Sequence, residues 1–210
     1  TDLAVSTVSH SLGNNLENLT YAGLMNVSLT GNSQDNIIDG SAAGINTLRG
    51  GEGNDTLVVN SARLGDIDGG TGTNRLRILG DSLSLNDVGL ANIQVLDLGS
   101  ISTLAGSVSV TLGGNSTSLD TLIGSAKSDS ITAVAGFGNQ SITIDGGAGG
   151  DRFAFSSLAQ MAAASLFGGE GADTLAYSSA ITNLVDANFT NLSGSSIEVL
   201  ELSGIGNRAT

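Results

Sequence analysis

One short grammar recurs along this chain of 210 residues and restricts its fold more than any other feature. A Gly-containing loop is followed by an Asp or Asn, one spacer, and then a large apolar residue. The polar and apolar pairs are Asp35/Ile37, Asp55/Leu57, Asn74/Leu76, Asp129/Ile131, Asp151/Phe153 and Asp173/Leu175. The spacings are 20 and 19 residues within the first three pairs, and 22 and 22 within the second three. A fixed period of this length marks a coiling repeat. Between the loops lie short β-prone segments such as 56–59, 108–110 and 141–144. Weaker loops at 40–46, 60–66 and 134–139 alternate with the strong ones. The pattern predicts a parallel β-solenoid: strand, turn on one edge, strand, turn on the other.

The repeats group into a longer duplication. Residues 50–57 (Gly-Gly-Glu-Gly-Asn-Asp-Thr-Leu) match 146–153 (Gly-Gly-Ala-Gly-Gly-Asp-Arg-Phe), and residues 69–76 match 168–175. Residues 29–37 match 122–131 with one insertion, and the closing segment 93–99 matches 197–203. We therefore read residues 1–20 as the end of a preceding unit, 21–105 as a first solenoid unit and 106–210 as a second. All belong to one continuous all-β solenoid. The Ala-rich stretch 158–166 reads as a short helix. A chain that starts at Thr1 without an initiator Met reads as a fragment or a processed product.

Composition narrows the function classes. With 31 Gly but no Pro, the chain is not collagen, and 40 % hydrophobic against 13 % charged residues is too apolar for simple disorder. No Cys means no disulfide staple and no thiolate metal site. Aromatic residues make up only 3 %, so the core must be aliphatic. A net charge of −13 with a single lysine, Lys127, argues against nucleic acid as a partner. No apolar run approaches 18 residues, so no transmembrane segment is expected.

In a parallel coil, residues one turn apart stack at roughly 4.8 Å. The spacing then predicts one column of Asp35, Asp55 and Asn74, and a second of Asp129, Asp151 and Asp173. Stacked carboxylates repel by on the order of 1 kcal/mol per pair even in water, which makes sense if a cation lies between them. Gly51, Gly53, Gly70, Gly72, Gly147, Gly149, Gly169 and Gly171 can turn backbone carbonyls towards such an ion. Carbonyls plus carboxylates form an all-oxygen shell suited to Ca²⁺. Mg²⁺ demands stricter octahedra, and zinc lacks ligands in a chain with one His and no Cys.

Other readings fit less well. Residues 66–77 start like an EF-hand, but the twelfth position is Arg77 rather than Glu. No Gly-Lys-Ser/Thr accompanies the loops, which excludes a phosphate cradle. Asp66/Asp68 and Asp97/Asp120 could form glycosidase pairs only by coincidence in so Asp-rich a chain. His10 reads as an exposed terminal residue, and the Ser/Thr rows as the solvated face of strands.

The loops 50–57, 146–153 and 168–175 follow the nonapeptide Gly-Gly-x-Gly-x-Asp-x-(apolar)-x. The chain thereby resembles the haemolysin-type calcium-binding (RTX, repeats-in-toxin) family. The likeness extends to 69–76, where Asn74 replaces the acid, and more loosely to 31–37 and 124–131. The resemblance implies a right-handed parallel β-helix or β-roll, folding triggered by extracellular calcium, and type I secretion from a Gram-negative bacterium. Family arrays carry the nonapeptide on both edges, whereas here the Gly-Asp loops are expected on one edge, with several Ca²⁺ ions, about two per unit. The expected role is a non-enzymatic structural module of a secreted or cell-surface protein of adhesin, surface-layer or matrix type. Self-association, neighbouring repeats and cell-surface glycans are its candidate partners. The alternative is a secretion and folding appendage of an exported protease, lipase or epimerase.

Overall fold

The computed structural model describes residues 2–42, 44, 46–60, 64–79, 82–84, 90–99, 108–114, 118–138, 140–177 and 196–202. The predicted boundary between the two units falls at 105/106, outside the described residues, as do 178–195 and 203–210 of the second unit. Among the described residues every strand pairing is parallel. A nine-stranded sheet runs through both units: β1 (Leu3–Ser6), β3 (Asn18–Tyr21), β5 (Ile37–Asp39), β7 (Thr56–Val59), β9 (Arg75–Ile78), β12 (Val95–Asp97), β14 (Thr121–Ile123), β16 (Ile142–Asp145) and β18 (Ala164–Phe167).

Two smaller sheets complete the coil. The first half uses β2 (His10–Ser11), β4 (Ser28–Thr30), β6 (Asn46–Glu52), β8 (Leu64–Thr71) and β11 (Leu90–Ala91). The second half uses β10 (Ser82–Ser84), β13 (Ser109–Leu112), β15 (Ser130–Ala133), β17 (Arg152–Phe155), β19 (Thr174–Tyr177) and β20 (Val199–Leu202). The expectation of an all-β parallel solenoid is met.

The stacking follows from side-chain alternation with period two. On the shared sheet Leu19, Ile38, Leu57, Leu76, Leu96, Leu122, Ile144 and Leu166 lie in register, each above the last. All are buried. Leu29, Leu48 and Ile67 answer them from the first small sheet, and Val110, Ile131, Phe153 and Leu175 from the second, within one hydrophobic core. The core is not purely aliphatic as the composition suggests: Phe137, Phe153 and Phe155 are buried, all in the second half, where the turns are longer.

The helix is α1 (Leu158–Ala163), capped by Ser157, whose Oγ accepts from Ala159 N at 3.2 Å. The predicted helix is cut short because its last residues enter the sheet as β18. Buried Gln160 ties it down by donating from Nε2 to the Val134 carbonyl at 2.9 Å. No helix of the described residues is long and apolar enough to cross a membrane.

The two stacks of Gly-Asp loops use opposite edges of the shared sheet. Loops 50–55 and 69–74 lead into β7 and β9, at the N-terminal ends of its strands. Loops 146–151 and 168–173 follow β16 and β18, at the C-terminal ends. The expectation of one edge therefore holds within each stack and not across the pair. The changeover lies between β9 and β12, where the second small sheet begins at β10 and the first ends at β11.

Candidate metal centre

Each stack contains a ladder in which a backbone N–H donates to the side chain of the next turn. In the first stack Asn36 N–H donates to Asp55 Oδ1 at 2.8 Å, Asp55 N–H to Asn74 Oδ1 at 2.9 Å, and Asn74 N–H to Gln94 Oε1 at 2.8 Å. In the second, Asp129 N–H donates to Asp151 Oδ1, Asp151 N–H to Asp173 Oδ1, and Asp173 N–H to Glu198 Oε2, all at 2.7 Å. The columns are thus Asn36–Asp55–Asn74–Gln94 and Asp129–Asp151–Asp173–Glu198.

Five of the six predicted column residues stand where the spacing put them. Asp35 does not. It is exposed, one step outside the column, and its Oδ1 accepts from Asn54 N–H at 2.7 Å. Asn36 takes its place, buried, with Ile38 rather than Ile37 as the inward anchor. The two-residue offset survives this correction, and the steps of the first stack become 19 and 19. Gln94 and Glu198 were missed because no Gly doublet precedes them, although Leu96 and Leu200 follow each at the same offset.

The eight predicted glycines all have positive φ, from 82° at Gly70 to 130° at Gly171. A side chain would be strained there, so their identity follows from backbone conformation. The first glycine of each doublet serves a different purpose. A Cβ on Gly50 would collide with Asp55 Oδ2 and with the Gly69 carbonyl of the next turn. On Gly146 it would meet Asp151 Oδ2 and the Gly168 carbonyl, and on Gly168, Asp173 Oδ2 and the Ser196 carbonyl. These glycines hold open a spot at which a carboxylate oxygen and a carbonyl oxygen converge.

In all three cases the carboxylate oxygen has no hydrogen-bond partner although it is buried: Asp55 Oδ2, Asp151 Oδ2 and Asp173 Oδ2. A buried anionic oxygen beside a carbonyl is costly unless a proton or a cation joins them. At Asp55 and Asp151 burial registers in the acidities. Burial pushes the Asp55 carboxyl up to about 6, with Asp35 adding repulsion. Burial pushes Asp151 up to about 7, with Asp129, Asp173 and Asp145 adding repulsion. Burial also raises Asp129, but less freely, because Ser125 N–H and Oγ donate to its two oxygens at 2.7 and 2.8 Å.

The donor set fits calcium. Oxygen ligands, several of them carbonyls, are what a hard cation of variable coordination takes. Among the described residues no group of three His, Cys, Asp or Glu side chains converges on one point, so carbonyls must supply much of any shell. Asp55, Asp151 and Asp173, with the carbonyls of Gly69, Gly168 and Ser196, are the residues that would hold the ions.

Comparison with known proteins points the same way. The family model of the RTX calcium-binding nonapeptide repeat (4 copies) matches residues 42–61 and 165–178, which contain the loops of Asp55 and Asp173. In these two segments the chain is similar to RTX repeats, and the match implies calcium binding. Such repeats typically occur in secreted proteins of Gram-negative bacteria. Neither a curated protein nor a solved structure matches the chain.

Proposed function

We propose that this chain, a parallel solenoid carrying RTX calcium-binding repeats, is a non-catalytic module of a secreted or cell-surface protein, folded by extracellular calcium. Its role is structural, as in an adhesin, a surface layer or an extracellular matrix. The observation that carries this reading is the set of buried, unpartnered oxygens on Asp55, Asp151 and Asp173, each beside a carbonyl of the next turn.

Bound calcium would supply the positive charge that lets these carboxylates remain ionised while buried. The chain's own residues do the rest. The positive-φ glycines shape the loops, the N–H ladder holds each carboxylate by one oxygen, and the apolar anchors two residues on tie the loops to the core. Because the loops form only when neighbouring turns stack, ion-binding free energy becomes folding free energy. Without calcium the −13 chain is less stable and more open at neutral pH, in a form suited to export.

Circular dichroism and thermal melting of the purified chain, with calcium and with a chelator, test this. Calcium is expected to increase β content and raise the melting temperature. Equal β content and equal melting in both conditions would sink the proposal.

A further inference from the structure

We infer that the two stacks differ in their need for calcium, because the first replaces ions with side-chain amides. This inference rests on the calcium reading above. At Asp55, Asp151 and Asp173 the second carboxylate oxygen faces the next turn's carbonyl, and two acceptors meet with no hydrogen between them. At Asn74 the equivalent place beside Gly69 holds Nδ2, which donates to the Asn92 carbonyl at 3.0 Å and to the Gly70 carbonyl at 3.4 Å. The amide cannot turn round, because Asn74 Oδ1 is required as the acceptor for Asp55 N–H. One side chain thus joins both turns without an ion.

Neutral side chains stand in for acids elsewhere in the first column too, although Asn36 is turned the other way from Asn74, with Oδ1 beside Gly31 and the Gly50 carbonyl. Asn36 accepts from Asn32 N–H at 2.7 Å through Oδ1 and donates from Nδ2 to the Leu16 carbonyl at 3.3 Å. Gln94 closes the column with a neutral acceptor. Asp55 is the one carboxylate among its four members, flanked by amides above and below. The second column is Asp129, Asp151, Asp173 and Glu198, all acids, and Asp151 and Asp173 are consecutive members with open oxygens. Repulsion and unmet hydrogen bonding therefore concentrate in the second stack. The first forms at lower calcium and presents β12 as a template on which the second is built.

Hydrogen exchange with mass spectrometry on the whole chain, across buffered free calcium, separates the stacks. Peptides within 46–59 and 64–79 should become protected at about tenfold lower calcium than those within 140–155 and 164–177, the scale set by two retained hydrogen bonds. Asn74→Asp should move the first midpoint up, and Asp151→Asn should move the second down. A common midpoint for both segments, a reversed order, or midpoints that neither substitution shifts would overturn this inference while leaving calcium-coupled folding intact. If neither segment responded to calcium, the calcium reading itself would fail and this inference with it.

Discussion

Asp129 and Asp151 are joined by a backbone-to-side-chain hydrogen bond, Asp129 N–H to Asp151 Oδ1, at 2.7 Å. Asp151 makes the same bond onward to Asp173. Each middle carboxylate is thereby divided. One oxygen is an internal strut of the solenoid and the other is left open and buried. A structural role and the proposed ion-binding role therefore fall on the same side chain.

Removing such a residue should injure both roles. Asp151→Ala deprives Asp129 N–H of its acceptor and removes one open oxygen. Calorimetric titration is expected to lose the affinity of the second stack for calcium. Asn74→Ala should leave calcium affinity closer to that of the parent chain. It should instead cost about 1–3 kcal/mol of calcium-free stability, through the unpaired Asp55 N–H and Asn92 carbonyl. Equal losses of affinity in the two variants would contradict this division.

The doublet glycines give a steric test. In Gly146→Ala the methyl group is driven against Asp151 Oδ2 and the Gly168 carbonyl. Calcium binding by that loop and the melting temperature should both drop. Gly114→Ala is the control, since the nearest atom to its Cβ, the Gly136 carbonyl oxygen, is 3.6 Å away. Similar calcium-bound melting temperatures for the two variants would count against a cradle kept open by Gly146.

Acidity should act in opposite senses with and without calcium. In the folded chain Asp55 and Asp151 hold protons up to about 6 and about 7, while an unfolded carboxyl releases them near 3.8. The folded state therefore binds more protons between these values, and stability falls as pH rises through that window. The stabilisation is complete below about pH 4 and gone above about pH 7. Without calcium the melting temperature should fall from pH 5 to pH 8. Calcium requires the deprotonated form, so its affinity should rise over the same range, and saturating calcium should cancel the loss. A calcium-free melting temperature that climbs towards pH 8 would refute the assignment.

Packing of the second stack depends on Phe153, buried in register between Ile131 and Leu175. Phe153→Ala should cost about 3–5 kcal/mol by denaturant unfolding. Turns contact mainly their neighbours in a solenoid, so loss of exchange protection should centre on β15, β17 and β19. Phe167→Ala, at a side chain 47 % exposed, should cost far less. Comparable costs for the two would place Phe153 outside the core.

Much of this molecule is legible in its residues because the repeat is written in local chemistry. A Gly doublet, an acid four positions after its second member and an apolar anchor two further on declare a loop and the strand it feeds. The spacing of 19 or 22 residues declares the stacking. Burial then settled what the pattern left ambiguous. Ile37 and Ile38 are equally apolar, so the sequence allowed Asp35 into the column. The ladder bond from Asn36 N–H to Asp55 chose the other register, since a one-residue slip sends every side chain to the opposite face. The choice of edge was equally hidden, because a loop reads alike whether it enters or leaves the shared sheet. Which oxygens lack partners emerges only when turns pack together. The sequence by itself determined that the chain coils and where it concentrates acid. Tertiary structure decided which acids are satisfied by protein and which remain open to an ion, because that depends on hydrogen bonds between residues 19 to 25 positions apart.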